Sequence, residues 1–132
     1  MAIPPISQPT QPTSESPEVI AFATRIYNAA RAGDLPIFQQ ALPAGLPANM
    51  TNDKGDTLLM LSTYHGHHAL STLLLSHGAD PNRLNDRGQS PLAGAVFKDE
   101  GAIVELLLGA GADVDLGRPS AWEVGFVLDV DF

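Results

Sequence analysis

Four histidines, His65, His67, His68 and His77, fall within one short stretch of this 132-residue chain. Imidazole is a common metal ligand, so the grouping first raises a metal site. The spacing argues against it. His68 and His77 are nine residues apart (77 − 68 = 9), not in the i, i+4 relation of a helical ligand pair. The chain has no cysteine, which removes thiolate ligands and disulfides together. No metal and no other cofactor is expected. The carboxylates Asp53, Asp80, Asp86 and Asp113 recur at a fixed step, as turn and loop chemistry produces, whereas a catalytic pair would stand once at one place. Tyr64, His65 and Asp86 are the best candidates for acid–base chemistry, in a cleft between structural units. A small enzyme built on that cleft is the runner-up reading. Gly109-Ala110-Gly111-Ala112 has the glycines of a phosphate cradle but lacks its Lys and Ser/Thr, and it fits a helix stop better.

The elements that hold these residues repeat. Gly55 recurs as Gly88, Gly78 as Gly111, Ala79 as Ala112, Asp80 as Asp113, and Leu74-Leu75 as Leu107-Leu108, each pair 33 apart (88 − 55 = 111 − 78 = 33). A shared step across turns, core positions and helix stops marks a stacked repeat, because each unit must present the same face to its neighbour. Asn52-Asp53-Lys54-Gly55 and Asn85-Asp86-Arg87-Gly88 have the composition of tight turns. Thr57 and Ser90 offer a capping hydroxyl at the start of a short helix, with Pro91 at its first position. A second helix carries Leu70, Leu73, Leu74 and Leu75, matched by Ile103, Leu106, Leu107 and Leu108, and Gly78 and Gly111 stop it.

At these residues the chain resembles the ankyrin repeat. Gly55-Asp56-Thr57-Leu58-Leu59-Met60, Gly66-His67, Leu74-Leu75 and Gly78-Ala79-Asp80-Pro81-Asn82 follow the family pattern in one unit. Gly88-Gln89-Ser90-Pro91-Leu92-Ala93 and Gly111-Ala112-Asp113-Val114-Asp115 follow it in the next. The stretch from Gly55 to Lys98 looks most like small, stand-alone ankyrin proteins of microbes. Met60 and Ala93 stand where the family has its helix-opening His, so fewer side-chain bonds between adjacent turns are expected. The resemblance implies an all-α stack of helix-turn-helix units, about three repeats with an incomplete C-terminal unit. It also implies binding of a protein partner rather than catalysis. In the family, partners meet the turn tips and the ends of the first helices, which line a concave face. On matching positions these are Arg31, Tyr64 and Phe97, with His65 and Lys98 beside them, and Lys54, Arg83, Leu84 and Arg87 at the turns. Two aromatics among cations match the composition of interface anchors.

Outside the two central units the pattern loosens. Residues 1–16 hold Pro4, Pro5, Pro9 and Pro12 among Ser, Thr and Gln and read as a disordered tail. Order is expected from Ser16-Pro17-Glu18, where hydroxyl, proline and acid form a helix start. Val19, Ile20, Phe22, Ala23, Ile26, Tyr27 and Ala30 give that helix a wide apolar face, and Asp34 is placed to cap the helix after it. Residues 17–51 thus form a divergent first repeat, 52–84 and 85–117 the regular ones, and 118–132 a partial cap within one repeat domain. Trp122, Val124, Phe126, Val127, Val130 and Phe132 make this last unit apolar, so it either folds back on the stack or supports self-association. A net charge of −8 with seven Lys and Arg argues against nucleic acid as the partner. No apolar run approaches the ~20 residues of a membrane span, and no secretory signal is evident, so the expected location is cytoplasmic.

Overall fold

The computed structural model describes residues 16–128. The proline-rich stretch 1–15, Val130 and Phe132, and the side chains of Phe126 and Val127, lie outside the described residues. Among the described residues seven helices follow one another: α1 (Pro17–Ala32), α2 (Leu35–Ala41), α3 (Leu58–Tyr64), α4 (His68–Ser76), α5 (Pro91–Phe97), α6 (Gly101–Gly109) and α7 (Ala121–Leu128). They stack in two layers. The first helices of the units, α1, α3, α5 and α7, pack in sequence, while α2, α4 and α6 form the second layer behind them.

Local chemistry sets the helix ends. The Met60 amide donates to Thr57 Oγ1 at 3.0 Å, and one period later the Ala93 amide donates to Ser90 Oγ, also at 3.0 Å. Ser16 caps α1 through the Val19 amide at 3.3 Å. Asp34 occupies the N-cap position of α2 but makes no side-chain cap bond. The turns before α3 and α5 are each held by an asparagine. Asn52 Oδ1 accepts from the amides of Lys54 and Asp56, and Asn85 Oδ1 from those of Arg87 and Gln89. Gly55 closes the first of these turns at φ 76°, a left-handed conformation open to glycine at little cost. A β-carbon there would also run into the carboxylate and backbone of Asp86 in the next turn.

Burial follows the repeat. Leu70 and Leu74 of α4, and Ile103 and Leu107 of α6, are fully buried, together with Leu58, Leu59 and Leu92 from the first-helix layer. Ile26, Tyr27, Ala29 and Ala30 of α1 join them. Ile20 and Phe22 do not. α1 packs on α3, and these two side chains stay exposed. Asparagines couple the units. Asn49 Nδ2 donates to the Gly78 carbonyl at 3.0 Å while its Oδ1 accepts from the Asp80 amide at 2.7 Å. Asn82 repeats both bonds with Gly111 and Asp113, at 3.1 and 2.8 Å. Between turns, Asn85 Nδ2 donates to Asp56 Oδ1 at 2.8 Å and approaches Met60 Sδ at 3.5 Å, and the Asp86 amide bonds the Lys54 carbonyl at 3.0 Å. The Asn85–Asp56 side-chain bond and the Asp86–Lys54 backbone bond thus join the turns in a stack that has Met60 and Ala93 at the helix-opening positions.

The C-terminal helix folds back. α7 packs on α5, and Ala121 is fully buried against the stack. Ser120 and Glu123 form a reciprocal capping box, the Glu123 amide donating to Ser120 Oγ at 3.1 Å and the Ser120 amide to Glu123 Oε1 at 3.0 Å. Hydrogen bonding from the Ser120 amide, and from its hydroxyl, stabilises the carboxylate and holds its pKa below the usual glutamate value.

Candidate functional site

Equivalent positions of stacked helices form columns. Met60 and Tyr64 lie one turn apart on α3, and their equivalents on α5 are Ala93 and Phe97 (60 + 33 = 93; 64 + 33 = 97). The two small residues Ala93 and Gly94 leave space beside Met60 and Tyr64. The result is a groove of about 310 Å³. Met60 and Tyr64 line one side, Gln89 and Ser90 before α5 line the turn end, and Pro91, Ala93, Gly94 and Phe97 of α5 line the rest. Pro119 and Val124 of the last unit close the other side. Its lining is mostly apolar. Tyr64 is 39% exposed and Phe97 63%, so neither ring is committed to the core.

Both signs of charge meet at the helix end, where Asp99 follows Lys98. Lys98 Nζ sits 4.9 Å from the centre of the Tyr64 ring, a cation–π contact that holds the ammonium at the helix end. The His65 ring meets Tyr64 edge-on at 5.4 Å and stacks near His67 at 6.4 Å. His67 Nε2 donates to the Arg31 carbonyl at 2.6 Å, which joins the end of α1 to the start of α4. Partial desolvation lowers the His65 pKa from its ordinary value, and the nearby His67, Lys98 and Arg31 lower it further. Arg31 is exposed, its Nη1 donating to Asn28 Oδ1 at 2.9 Å.

The sequence-derived residues therefore fall into two groups. Arg31, Tyr64, His65, Phe97 and Lys98 gather at the helix ends. Lys54, Arg87 and the Arg83-Leu84 approach lie at the turns, where Lys54, Arg83 and Arg87 are exposed and Leu84 is half-buried. The groove runs between the groups, with Gln89 at the turn end anchored by Asn85 Nδ2 at 2.7 Å. Tyr64 and His65 meet, but Asp86 does not join them. It rests by Gly55 at the turn end, separated by the length of α3, about 10 Å for seven residues at ~1.5 Å rise. Among the described residues no cluster of three His, Asp or Glu side chains could hold a metal. No described helix is long and apolar enough to cross a membrane.

Several groove residues escaped the sequence reading. Met60, Ala93 and Gly94 were legible only as repeat positions, although two small residues beside an exposed aromatic column are the signal of a gap. Pro119 and Val124 reach the groove through the packing of α7. The Ser120 to Glu123 spacing, an S-x-x-E pattern, was readable as a capping box and would have fixed the start of α7.

Comparison with known proteins agrees with this architecture. A family model described as ankyrin repeats in three copies matches residues 26–117. A protein of Pseudomonas aeruginosa named as an ankyrin repeat protein, PA3287, is 50% identical over 50 residues, covering 38% of this chain and 29% of that protein. The crystal structure of the human ASB11 ankyrin repeat domain superposes with a TM-score of 0.64 at 28% identity, covering 67% of this chain and 40% of that one. The chain thus spans well under half the length of either relative. With three repeats matched over most of its length, the chain belongs to the ankyrin repeat family.

Proposed function

We propose that the chain recognises a protein partner on the face formed by its first helices and turns. Tyr64 and Phe97 act as anchors, with Arg31, His65 and Lys98 at one rim and Lys54, Arg83, Leu84 and Arg87 at the other. Ankyrin repeats are generally protein–protein interaction modules and typically not enzymes. The observation that carries the reading is that two exposed aromatic rings, one period apart, open onto the same apolar groove. Exposed aromatics in such a setting are where binding energy concentrates, because a partner can remove them from water at little conformational cost. Rim cations on a chain of net charge −8 favour association with acidic surfaces and raise its rate more than its final affinity.

The test begins with capture of the tagged chain from the cells that make it and identification of what it retains. Hydrogen exchange on the reconstituted pair then maps the contact. Protection across α3, α5 and the turns before them is the expected pattern. Protection confined to α4 and α6, the second layer, would contradict the proposal.

A further inference from the structure

No residue lining the groove carries a charge, and its most polar side chain is Gln89 at the turn end. The bonds around Gln89 fix which way its amide faces. Asn85 Oδ1 accepts from the backbone amides of Arg87 and Gln89, so Asn85 meets its other neighbours with Nδ2. That nitrogen donates to Asp56 Oδ1 at 2.8 Å and to Gln89 Oε1 at 2.7 Å. With its oxygen engaged, Gln89 keeps Nε2, a donor with no partner among the described residues. The preceding unit has Asp56 at the same position (56 + 33 = 89), a carboxylate with no hydrogen to give. Beyond Gln89 the space is apolar and measures about 310 Å³, at the small end of the ~300–1,000 Å³ of ligand pockets. That is room for a bulky side chain rather than a large cofactor. An ionised group seated there would find no counter-charge in the lining.

We infer that the groove takes one uncharged, bulky apolar side chain of a partner, and that Gln89 donates from Nε2 to a peptide carbonyl beside it. This rests on the protein-binding reading and adds the chemistry of the anchor and a residue that determines specificity. A free apolar molecule fills the same space but covers the Gln89 donor without pairing it, which costs binding energy. A partner chain brings a neutral acceptor next to every side chain it presents, its own backbone carbonyl. Two substitutions separate binding from folding. Gln89→Glu keeps an oxygen for Asn85 and turns the remaining donor into a second acceptor. At Gly94 a β-carbon would sit 3.4 Å from Tyr64 Cδ1, an ordinary contact, so alanine narrows the groove without straining the helix.

The experiment selects from a phage-displayed library of random short peptides on the whole chain, then measures synthetic representatives by fluorescence anisotropy. The neutral dye N-phenyl-1-naphthylamine serves as the apolar probe without a backbone. Selected sequences should share one aromatic or large aliphatic residue, with no charge at that position. Their affinity should fall about tenfold with Gln89→Glu and several-fold with Gly94→Ala, at melting temperatures no lower than the parent's. Thioamides, weaker acceptors, scanned along a selected peptide should reveal one carbonyl whose replacement weakens binding to the parent but not to Gln89→Glu. A scan without such a carbonyl, or undiminished binding by Gln89→Glu, would overturn the inference and leave the protein-binding reading standing. A charged residue at the shared position, an empty selection, or tighter binding of the dye than of any peptide would also overturn it. Peptides that bind a Tyr64→Ala, Phe97→Ala variant as well as the parent would overturn both readings.

Discussion

Gly55 and Gly88 have the same backbone, at φ 76° and 75°, yet different surroundings. A β-carbon on Gly88 faces open space, while one on Gly55 meets Asp86. Alanine at either site should cost the ~1–2 kcal/mol of a left-handed residue. Gly55→Ala should cost clearly more, because it also pushes apart two turns joined through Asp86 and Lys54; urea titration of both variants compares them. Titrating side chains give a second residue-scale expectation. The folded chain holds the His65 pKa below its unfolded value near 6.5, so below that pH the unfolded state binds more protons and stability falls. The loss runs from about 6.5 down through the lowered pKa and then levels off. Glu123, likewise lowered, adds its own loss further down, below about 4.5. His65→Gln should flatten the upper part of the profile alone, and urea midpoints across that range check it.

At the scale of the element, each repeat depends on its second helix. Leu74 is fully buried in α4, and Leu74→Ala should cost roughly 2–5 kcal/mol, enough to unfold much of a short stack. An unchanged melting curve would mean the register is wrong. What the sequence made legible at this scale is local. Thr57, Ser90 and Ser16 cap their helices as expected because a hydroxyl and the amide three residues on are brought together by the helix start alone. Asp34 stands at an equivalent position and makes no such bond, and the apolar face of α1 includes Ile20 and Phe22, which are exposed. Periodicity shows which residues share a helix face but not whether a neighbour covers that face. The groove was hidden for a related reason. Met60, the Ala93-Gly94 pair and Val124 are far apart in the chain and meet because three first helices stack. The helix-end residues Tyr64 and Phe97 could be found because one repeat period places both on the same column.

The whole molecule is a stack with unequal ends. α1 leaves Ile20 and Phe22 in contact with solvent, and α7 covers α5 while Trp122 remains 54% exposed. Removing residues from Ala121 onward should uncover α5 and take away the Val124 side of the groove, lowering melting temperature and solubility. If Trp122 instead belongs to a contact between copies, the same deletion should shift the mass measured by light scattering from dimer to monomer. A shortened chain as stable and soluble as the parent, with unchanged mass, would rule out both roles for α7. The central claim is that Tyr64 and Phe97 serve a partner and not the fold. Exposed anchors and structural rings separate in one measurement: the melting temperature and the partner affinity of a Tyr64→Ala, Phe97→Ala variant. The account predicts a melting temperature close to the parent's and a loss of about 2 kcal/mol or more in binding. A collapse in melting temperature would assign the rings to the core, and full binding by the folded variant would place the interface elsewhere.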